Sequence, residues 1–122
     1  MTPVGNDQET GASGERLARR FLEARGLRFR AANVRSPLGE IDVVMEDPKT
    51  AELVFVEVKT RGGSAFGTPE QAITARKRAK LRMLVAWYCQ RERWKGHVRF
   101  DVVGVMVRPG AEPVITHTPY AA

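Results

Sequence analysis

The segment from Glu52 to Thr60 constrains the fold more than any other part of this sequence. Apart from Glu57 and Lys59, its run LVFVEVK consists of β-branched and other apolar residues, and they occupy both faces of the segment. A strand that is apolar on both faces has to be covered on both faces, usually by helices. The segment therefore predicts the central strand of an α/β sheet.

The patterns around this strand predict the remaining elements. One helix is expected from near Ser13 to Gly26, and a second from Pro69 to about Arg91. Strands are expected over four further segments, 27–34, 40–45, 97–107 and 113–117. The order helix, three strands, helix, strand predicts an α/β domain with a mixed sheet flanked by helices.

The overall composition predicts one soluble domain. The chain has 122 residues, which suits a single domain over 12–122 after a flexible tail over 1–11. Cys89 is the one cysteine, so an intrachain disulfide is excluded and a reducing compartment fits. The N-terminus has no apolar core typical of a secretory signal, and no apolar run reaches the roughly 18 residues that span a bilayer. These features predict a cytoplasmic protein without a membrane partner.

Basic residues are concentrated in the second predicted helix and the loop after it. The formal net charge is +6, and between Thr74 and Arg99 the only acid is Glu92. Lysine and arginine neutralise phosphates, and aromatic rings stack on bases, so this region predicts a nucleic-acid partner. The candidate contacts are Arg61, Lys77, Arg78, Arg82, Arg93 and Trp94.

The aromatic residues and lysine of this region differ in their expected orientation. Tyr88 follows the apolar helical stripe and is expected in the core, whereas Trp94 lies in a polar loop and is the better surface candidate. Lys77 lies four residues before Leu81 on the same stripe, so its side chain is expected to point inward or to extend along the sheet. A phosphate contact at the edge of a site fits that position.

Three charged residues on neighbouring strands form the candidate catalytic group. Glu57 and Lys59 project to the same side of their strand because side chains alternate. If the preceding strand joins through a turn around Pro48–Ala51 with an even number of residues, Asp42 falls on that side too, directly opposite Glu57 or one step diagonal. A bulge or an odd loop would break this pairing.

Two carboxylates placed together are tolerated when a cation lies between them, and Mg²⁺ prefers oxygen ligands and phosphate. Asp42, Glu57 and Lys59 therefore fit a site that hydrolyses phosphodiesters with Mg²⁺ or Mn²⁺, with Lys59 orienting water or stabilising charge on the phosphate. The alternative is a plain ion pair between Glu57 and Lys59. Charges in a doubly apolar strand are costly unless paired or functional, which favours the site.

Glu15 is a further candidate ligand. It lies three and seven residues before Ala18 and Leu22 and so shares their buried stripe. The pattern alone favours a different explanation, in which Glu15 stabilises the first turn of the helix through the helix dipole.

Several motifs together resemble the YraN-type family of small bacterial proteins. They are GASGERLA, GEID, FVEVKTR, FGTPEQAIT with Lys77, and RFDVV, which run in order from Gly11 to Val103. That family is similar to the restriction-endonuclease-like PD-(D/E)xK nucleases, including Holliday-junction resolvases. The resemblance implies an αβββαβ core, metal ligands at Asp42 and Glu57, a catalytic Lys59, and an acid at Glu15 that joins the metal ligands.

Three functions compete on this basis. The first is a metal-dependent endonuclease that acts on DNA, with branched DNA among its candidate substrates. The second is a nucleic-acid-binding module that keeps the fold without cleavage. The third is a protein-interaction domain whose basic helix meets an acidic partner. A homodimer is compatible with each of them.

Overall fold

The computed structural model describes the backbone of residues 7–62 and 74–122, and the side chains of residues 13–61 and 74–122. In chain order the elements are α1 (Asp7–Ala24), β1 (Arg28–Ser36), β2 (Gly39–Asp47), β3 (Glu52–Gly62), α2 (Ala75–Glu92), β4 (Val98–Val107) and β5 (Val114–Thr118). Neither of these helices is long and apolar enough to cross a membrane.

The five strands form one mixed sheet in the order β1-β2-β3-β4-β5. β3 and β4 are parallel, and the other neighbouring pairs are antiparallel. β3 is the middle strand, as its apolar pattern predicts. Alternate residues of β3 enter two separate cores: Val54 and Val56 pack with Ala18 and Leu22 of α1, whereas Phe55 packs against α2.

The architecture is the α/β class that the pattern predicts. The succession α1, β1, β2, β3, α2, β4 is the αβββαβ core of restriction-endonuclease-like proteins, and β5 extends the sheet at the edge. The strand segments expected from the sequence are all present, with ends that differ by up to two residues. Strand ends are set by pairing across the sheet, which a local pattern does not contain.

The observed start of α1 differs from the predicted start. α1 begins at Asp7, before the start expected near Ser13, so part of the expected tail is helical. The Gly, Thr, Asn and Asp residues of 1–11 predicted a tail up to Gly11, but a single glycine inside a helix costs only about 1 kcal/mol relative to alanine. The expected start of the second helix at Pro69 lies outside the described residues. Thr74 caps α2, where its hydroxyl accepts a hydrogen bond from the backbone N–H of Lys77 at 3.2 Å.

Candidate functional site

The candidate site lies where β2 and β3 part. Their pairing runs from Asp47↔Glu52 to Val43↔Val56, and the connecting loop holds an even number of residues. This register places Asp42 opposite Glu57 on the side of the sheet that faces α2, as the parity argument predicts. Beyond the last pair, the Val58 N–H donates to Asp42 Oδ2 at 2.9 Å, so the carboxylate takes the place of a backbone acceptor.

Three carboxylates meet at this point. Oxygens of Glu15, Glu40 and Asp42 all lie within 4.8 Å of one another. With its amide oriented to suit the surrounding acceptors, Asn33 donates to Glu40 Oε1 at 3.2 Å and to Glu15 Oε1 at 3.1 Å. We call Glu15, Glu40 and Asp42 the acidic trio.

The acidic trio is electrostatically unfavourable without a counter-charge. Burial is the largest cause that raises the pKa of Asp42 to about 6, and the charges of Glu57 and Glu40 also raise it, against the opposing hydrogen bond from Val58 and the charge of Lys59. Burial also raises the pKa of Glu15, with added contributions from Asp42 and Glu40. Carboxyls that resist ionisation together are the environment that a divalent cation with oxygen ligands relieves.

Glu57 lies beside the trio but has different partners. Its Oε1 accepts from Lys59 Nζ at 3.2 Å and from Lys77 Nζ at 2.6 Å. The ion pair between Glu57 and Lys59 expected as an alternative is therefore present, and Lys77 points inward as its place on the apolar stripe predicts. The roles of Asp42, Glu57 and Lys59 in catalysis stay predictions.

Glu15 reaches the site because α1 packs very closely on β3. A Cβ atom at Gly14 would overlap Oγ1 of Thr60, so only glycine permits this approach of the helix. Since α1 begins at Asp7, Glu15 lies about two turns inside the helix, beyond the reach of the helix-dipole effect on first-turn acids. The structure thus places Glu15 beside Glu40 and Asp42 and outside the first turn of α1, and its role as a metal ligand stays a prediction.

The arginines proposed to bind nucleic acid are exposed. Arg61 lies near the end of β3, Arg78 and Arg82 lie one turn apart on α2, and Arg93 ends α2 in a left-handed conformation with φ of 56°. Arg78 and Arg82 also line a cavity of about 320 Å³ between α2 and β4, whose wall includes Phe100. Their exposure is compatible with phosphate contact, which stays a prediction.

Trp94 has intramolecular partners that the sequence did not indicate. Its indole N–H donates to the carbonyl of His97 at 3.1 Å, and the Arg30 guanidinium lies 5.4 Å from its ring centroid. The ring is half-buried and packs against the core under α2. It fixes the segment after α2, and its proposed stacking on a base stays a prediction.

A second charged cluster lies on the side of the sheet that faces α1. Arg99 Nε donates to Asp101 Oδ1 at 3.1 Å, and Arg99 Nη1 donates to Asp47 Oδ2 at 2.8 Å. His117 Nε2 lies 2.7 Å from Asp101 Oδ2, and the Tyr120 N–H donates to Asp101 Oδ1 at 3.2 Å. The pairing of Arg99 and Asp101 is the structural one that their shared strand face predicts. The cluster attaches the segment after β5 to the sheet.

Sequence reasoning missed Glu40 and Asn33. Glu40 lies two residues before Asp42 in the GEID motif, and residues two apart on a strand share a face, so the same parity rule that linked Asp42 to Glu57 could have found it. Asn33 gave no comparable signal. It adopts φ of 51°, a left-handed conformation that asparagine tolerates better than most residues, and this irregularity of β1 is absent from the pattern.

The fold and this cluster together define a nuclease-like α/β domain with an acidic group that suits a metal ion. The chain belongs to the family described as "Uncharacterised protein family UPF0102", whose profile matches residues 14–105. This finding confirms the resemblance to the YraN-type family.

Relatives of this family match nearly the whole chain. UPF0102 proteins of Nocardia farcinica and Beutenbergia cavernae are 45% and 50% identical over 118 and 106 residues. These alignments cover 96% and 85% of this chain and 91% and 88% of the relatives. Among solved structures, Pyrococcus furiosus SfsA in complex with Ca²⁺ matches 93% of this chain and 64% of its own, with a TM-score of 0.39 and 14% identity.

Proposed function

We propose that this protein is a metal-dependent nuclease that hydrolyses phosphodiester bonds in DNA. The observation that carries the proposal is the convergence of the acidic trio with the Glu57–Lys59 pair at the point where β2 and β3 part. Carboxylates for a cation and an ammonium for a phosphate are the groups that this hydrolysis needs.

The residues present fit a divalent cation. Glu15, Glu40 and Asp42 offer only hard oxygen donors, and burial together with the neighbouring carboxylates raises the pKa of Asp42, an environment in which a bound cation is favourable. These three residues, with Glu57 at the edge, would hold Mg²⁺ or Mn²⁺. When bound, such a cation withdraws negative charge from the scissile phosphate and makes water a stronger nucleophile.

Lys59 supplies the positive charge of the protein itself. Its Nζ is fixed 3.2 Å from Glu57 Oε1, and its side chain is 29% exposed, so the remaining N–H groups are available to a substrate. In the proposed reaction these groups donate to the phosphate oxygens and orient the attacking water. The effect is largest in the transition state, where negative charge on the phosphate oxygens has to be stabilised.

Substrate binding is assigned to the basic surface of α2. Arg78 and Arg82 are exposed on one side of this helix, and the inward-pointing Lys77 connects the same helix to Glu57. The backbone of a nucleic acid placed along α2 would therefore pass the carboxylates. Branched DNA remains one proposed substrate within this class.

The test is cleavage of duplex, single-stranded, flap and four-way DNA with Mg²⁺ or Mn²⁺. We expect the wild type to cut at least one of them. Asp42→Asn and Lys59→Ala are each expected to abolish cleavage. Both should leave DNA binding nearly intact, because Lys59 is only one of many positive charges and Asp42 contributes no positive charge that attracts phosphate. RNA substrates of the same shapes establish which nucleic acid is preferred.

Three results would contradict the proposal. A wild type that binds every substrate and cuts none indicates a nucleic-acid-binding module. Cleavage that survives both Asp42→Asn and Lys59→Ala indicates another site or a contaminating nuclease. Absence of nucleic-acid binding would favour the protein-interaction domain.

A further inference from the structure

Two lysines share one oxygen of Glu57. Lys77 Nζ lies 2.6 Å and Lys59 Nζ 3.2 Å from the same Oε1, and the Glu57 side chain is only 18% exposed. Lys59 follows Glu57 on β3, whereas Lys77 comes from the first turn of α2, twenty residues further along the chain than Glu57. This contact joins α2 to the Glu57–Lys59 pair of β3.

Lys77 is charged in this position. Burial by itself would lower the pKa of Lys77, but the hydrogen bond to Glu57 and the charges of Glu57 and Asp42 more than compensate, and the pKa is raised. The side chain is 29% exposed, so its ammonium remains within reach of a ligand. Lys77 thus contributes a positive charge beside the acidic trio.

We propose that Lys77 is a positioning residue that competes with the divalent cation for Glu57 and gives way when a nucleic-acid phosphate binds its ammonium. The inference rests on the proposed function, because it concerns the regulation of the same site. Its direct support is that Glu57 is bound to Lys77 and does not belong to the acidic trio.

The competition follows from charge. A divalent cation held by the trio and the ammonium of Lys77 repel each other, and both require the carboxylate of Glu57. A phosphate that pairs with Lys77 removes this repulsion and frees the carboxylate. Phosphate and cation therefore bind cooperatively, and by linkage each increases the affinity for the other by the same factor. The site would hold its cation firmly only when substrate is present.

The experiment is a calorimetric titration of Mn²⁺ at pH 8, without nucleic acid. Lys77→Gln is expected to bind Mn²⁺ about 10-fold more tightly than the wild type, a change equivalent to about 1.4 kcal/mol. Lys77→Arg keeps the positive charge and is expected to retain an affinity near that of the wild type. Lys95→Gln, an exposed site after α2, makes the same change in net charge and is expected to have no effect.

A second titration measures the coupling. A short DNA duplex with cleavage-resistant phosphorothioate linkages is expected to tighten Mn²⁺ binding by the wild type and to have a smaller effect on Lys77→Gln. Equal tightening in both proteins would overturn the exchange of Lys77 onto phosphate. Thermal melting establishes that each variant folds, and Lys77→Met replaces the glutamine variant if the latter does not.

The outcomes separate this inference from the proposed function. If the wild type binds Mn²⁺ and Lys77→Gln binds it no more tightly, the competition is refuted and the metal site stands. If only Lys77→Gln binds measurably, the competition is supported. If neither protein binds Mn²⁺, with or without the duplex, both the metal site and the competition are overturned.

Discussion

At the scale of single residues, Asp42 connects stability to function. Its pKa is 3.8 in an ordinary environment and about 6 in the fold, so the folded state holds a proton that the unfolded chain has lost between these values. Stability of the metal-free protein should therefore fall as pH rises from about 4 to 6 and then stay level. Each pKa unit corresponds to about 1.4 kcal/mol, so the full difference approaches about 3 kcal/mol.

Asp42→Asn removes this cost and keeps an oxygen that accepts from Val58. We expect the variant to be about 1–3 kcal/mol more stable than the wild type at pH 8, without divalent ions, and to gain little at pH 4. Urea unfolding at the two pH values measures the difference, with Glu112→Gln as the control at an exposed acid. A gain of the same size at both pH values would contradict the assigned pKa.

Asn33 is expected to contribute to the stability of the fold through both its backbone conformation and its side-chain amide. Its φ of 51° favours Asn or Gly, whereas alanine there costs about 1–2 kcal/mol. Asn33→Gly keeps the conformation and removes the amide between Glu15 and Glu40, whereas Asn33→Ala loses both. We expect the alanine variant to be the less stable by about 1 kcal/mol in urea unfolding. An alanine variant as stable as the glycine variant would show that the backbone of β1 relaxes freely.

At the scale of elements, features that depend on residues close together in the sequence could be predicted. Features that depend on contacts between distant residues could not. β3 is predicted from its own residues because burial on both faces leaves a local pattern. The placement of Asp42 opposite Glu57 could be predicted because the four-residue turn between β2 and β3 determines the register of these strands. Helix α1 is the opposite case: the polar composition before Ser13 predicted a start six residues too late, and that start favoured a dipole role for Glu15 that its position about two turns inside the helix does not fit.

Contacts between distant elements could not be predicted in the same way. Lys77 is separated from Glu57 by twenty residues, and its inward direction was predictable from the apolar stripe while its partner was not. Asn33 bonds to Glu15 and Glu40 through an irregular strand conformation that no periodic pattern contains. The part of the candidate site on β2 and β3 could therefore be predicted from the sequence. The contacts that α1, β1 and α2 make with it could be predicted only in part.

The packing of α1 on β3 gives a prediction for Gly14. Alanine would improve helix propensity by about 1 kcal/mol, but its Cβ would overlap Thr60 Oγ1. Crowding of this kind typically costs about 1–3 kcal/mol, so Gly14→Ala should destabilise the fold and displace Glu15. We expect Thr60→Ala to restore part of the loss, which a double-mutant cycle in urea unfolding measures. Additive effects of the two substitutions would show that the helix and strand do not meet there.

At the scale of the whole molecule, charge is distributed unevenly. The acidic trio gathers negative charge at the start of β2, whereas α2 carries five basic residues before Gln90. Among these five, Lys77 is paired with Glu57. A polyanion is attracted to the helix and repelled by the carboxylates unless a cation covers them. Binding and catalysis are thus expected to depend on different residues.

The basic surface is tested by replacing Arg78, Arg82 and Arg93 together with glutamine. All three are exposed, so the variant should fold while its affinity for duplex DNA falls. Each lost phosphate contact reduces the slope of log affinity against log salt by about 0.9, so three contacts should reduce it by roughly 3. Fluorescence anisotropy over a range of salt concentrations measures the slope.

The matched control replaces Arg20, Arg28 and Arg108, which are exposed outside α2, and removes the same charge. Both triple variants lose the same net charge, so any effect of net charge on DNA affinity is equal in the two. Their salt slopes are therefore expected to differ only if the DNA contacts α2 directly. Equal slopes would mean that the DNA does not lie on α2. An unchanged affinity in the α2 variant would favour a protein partner for the basic helix and would remove the proposed path of the substrate to Asp42.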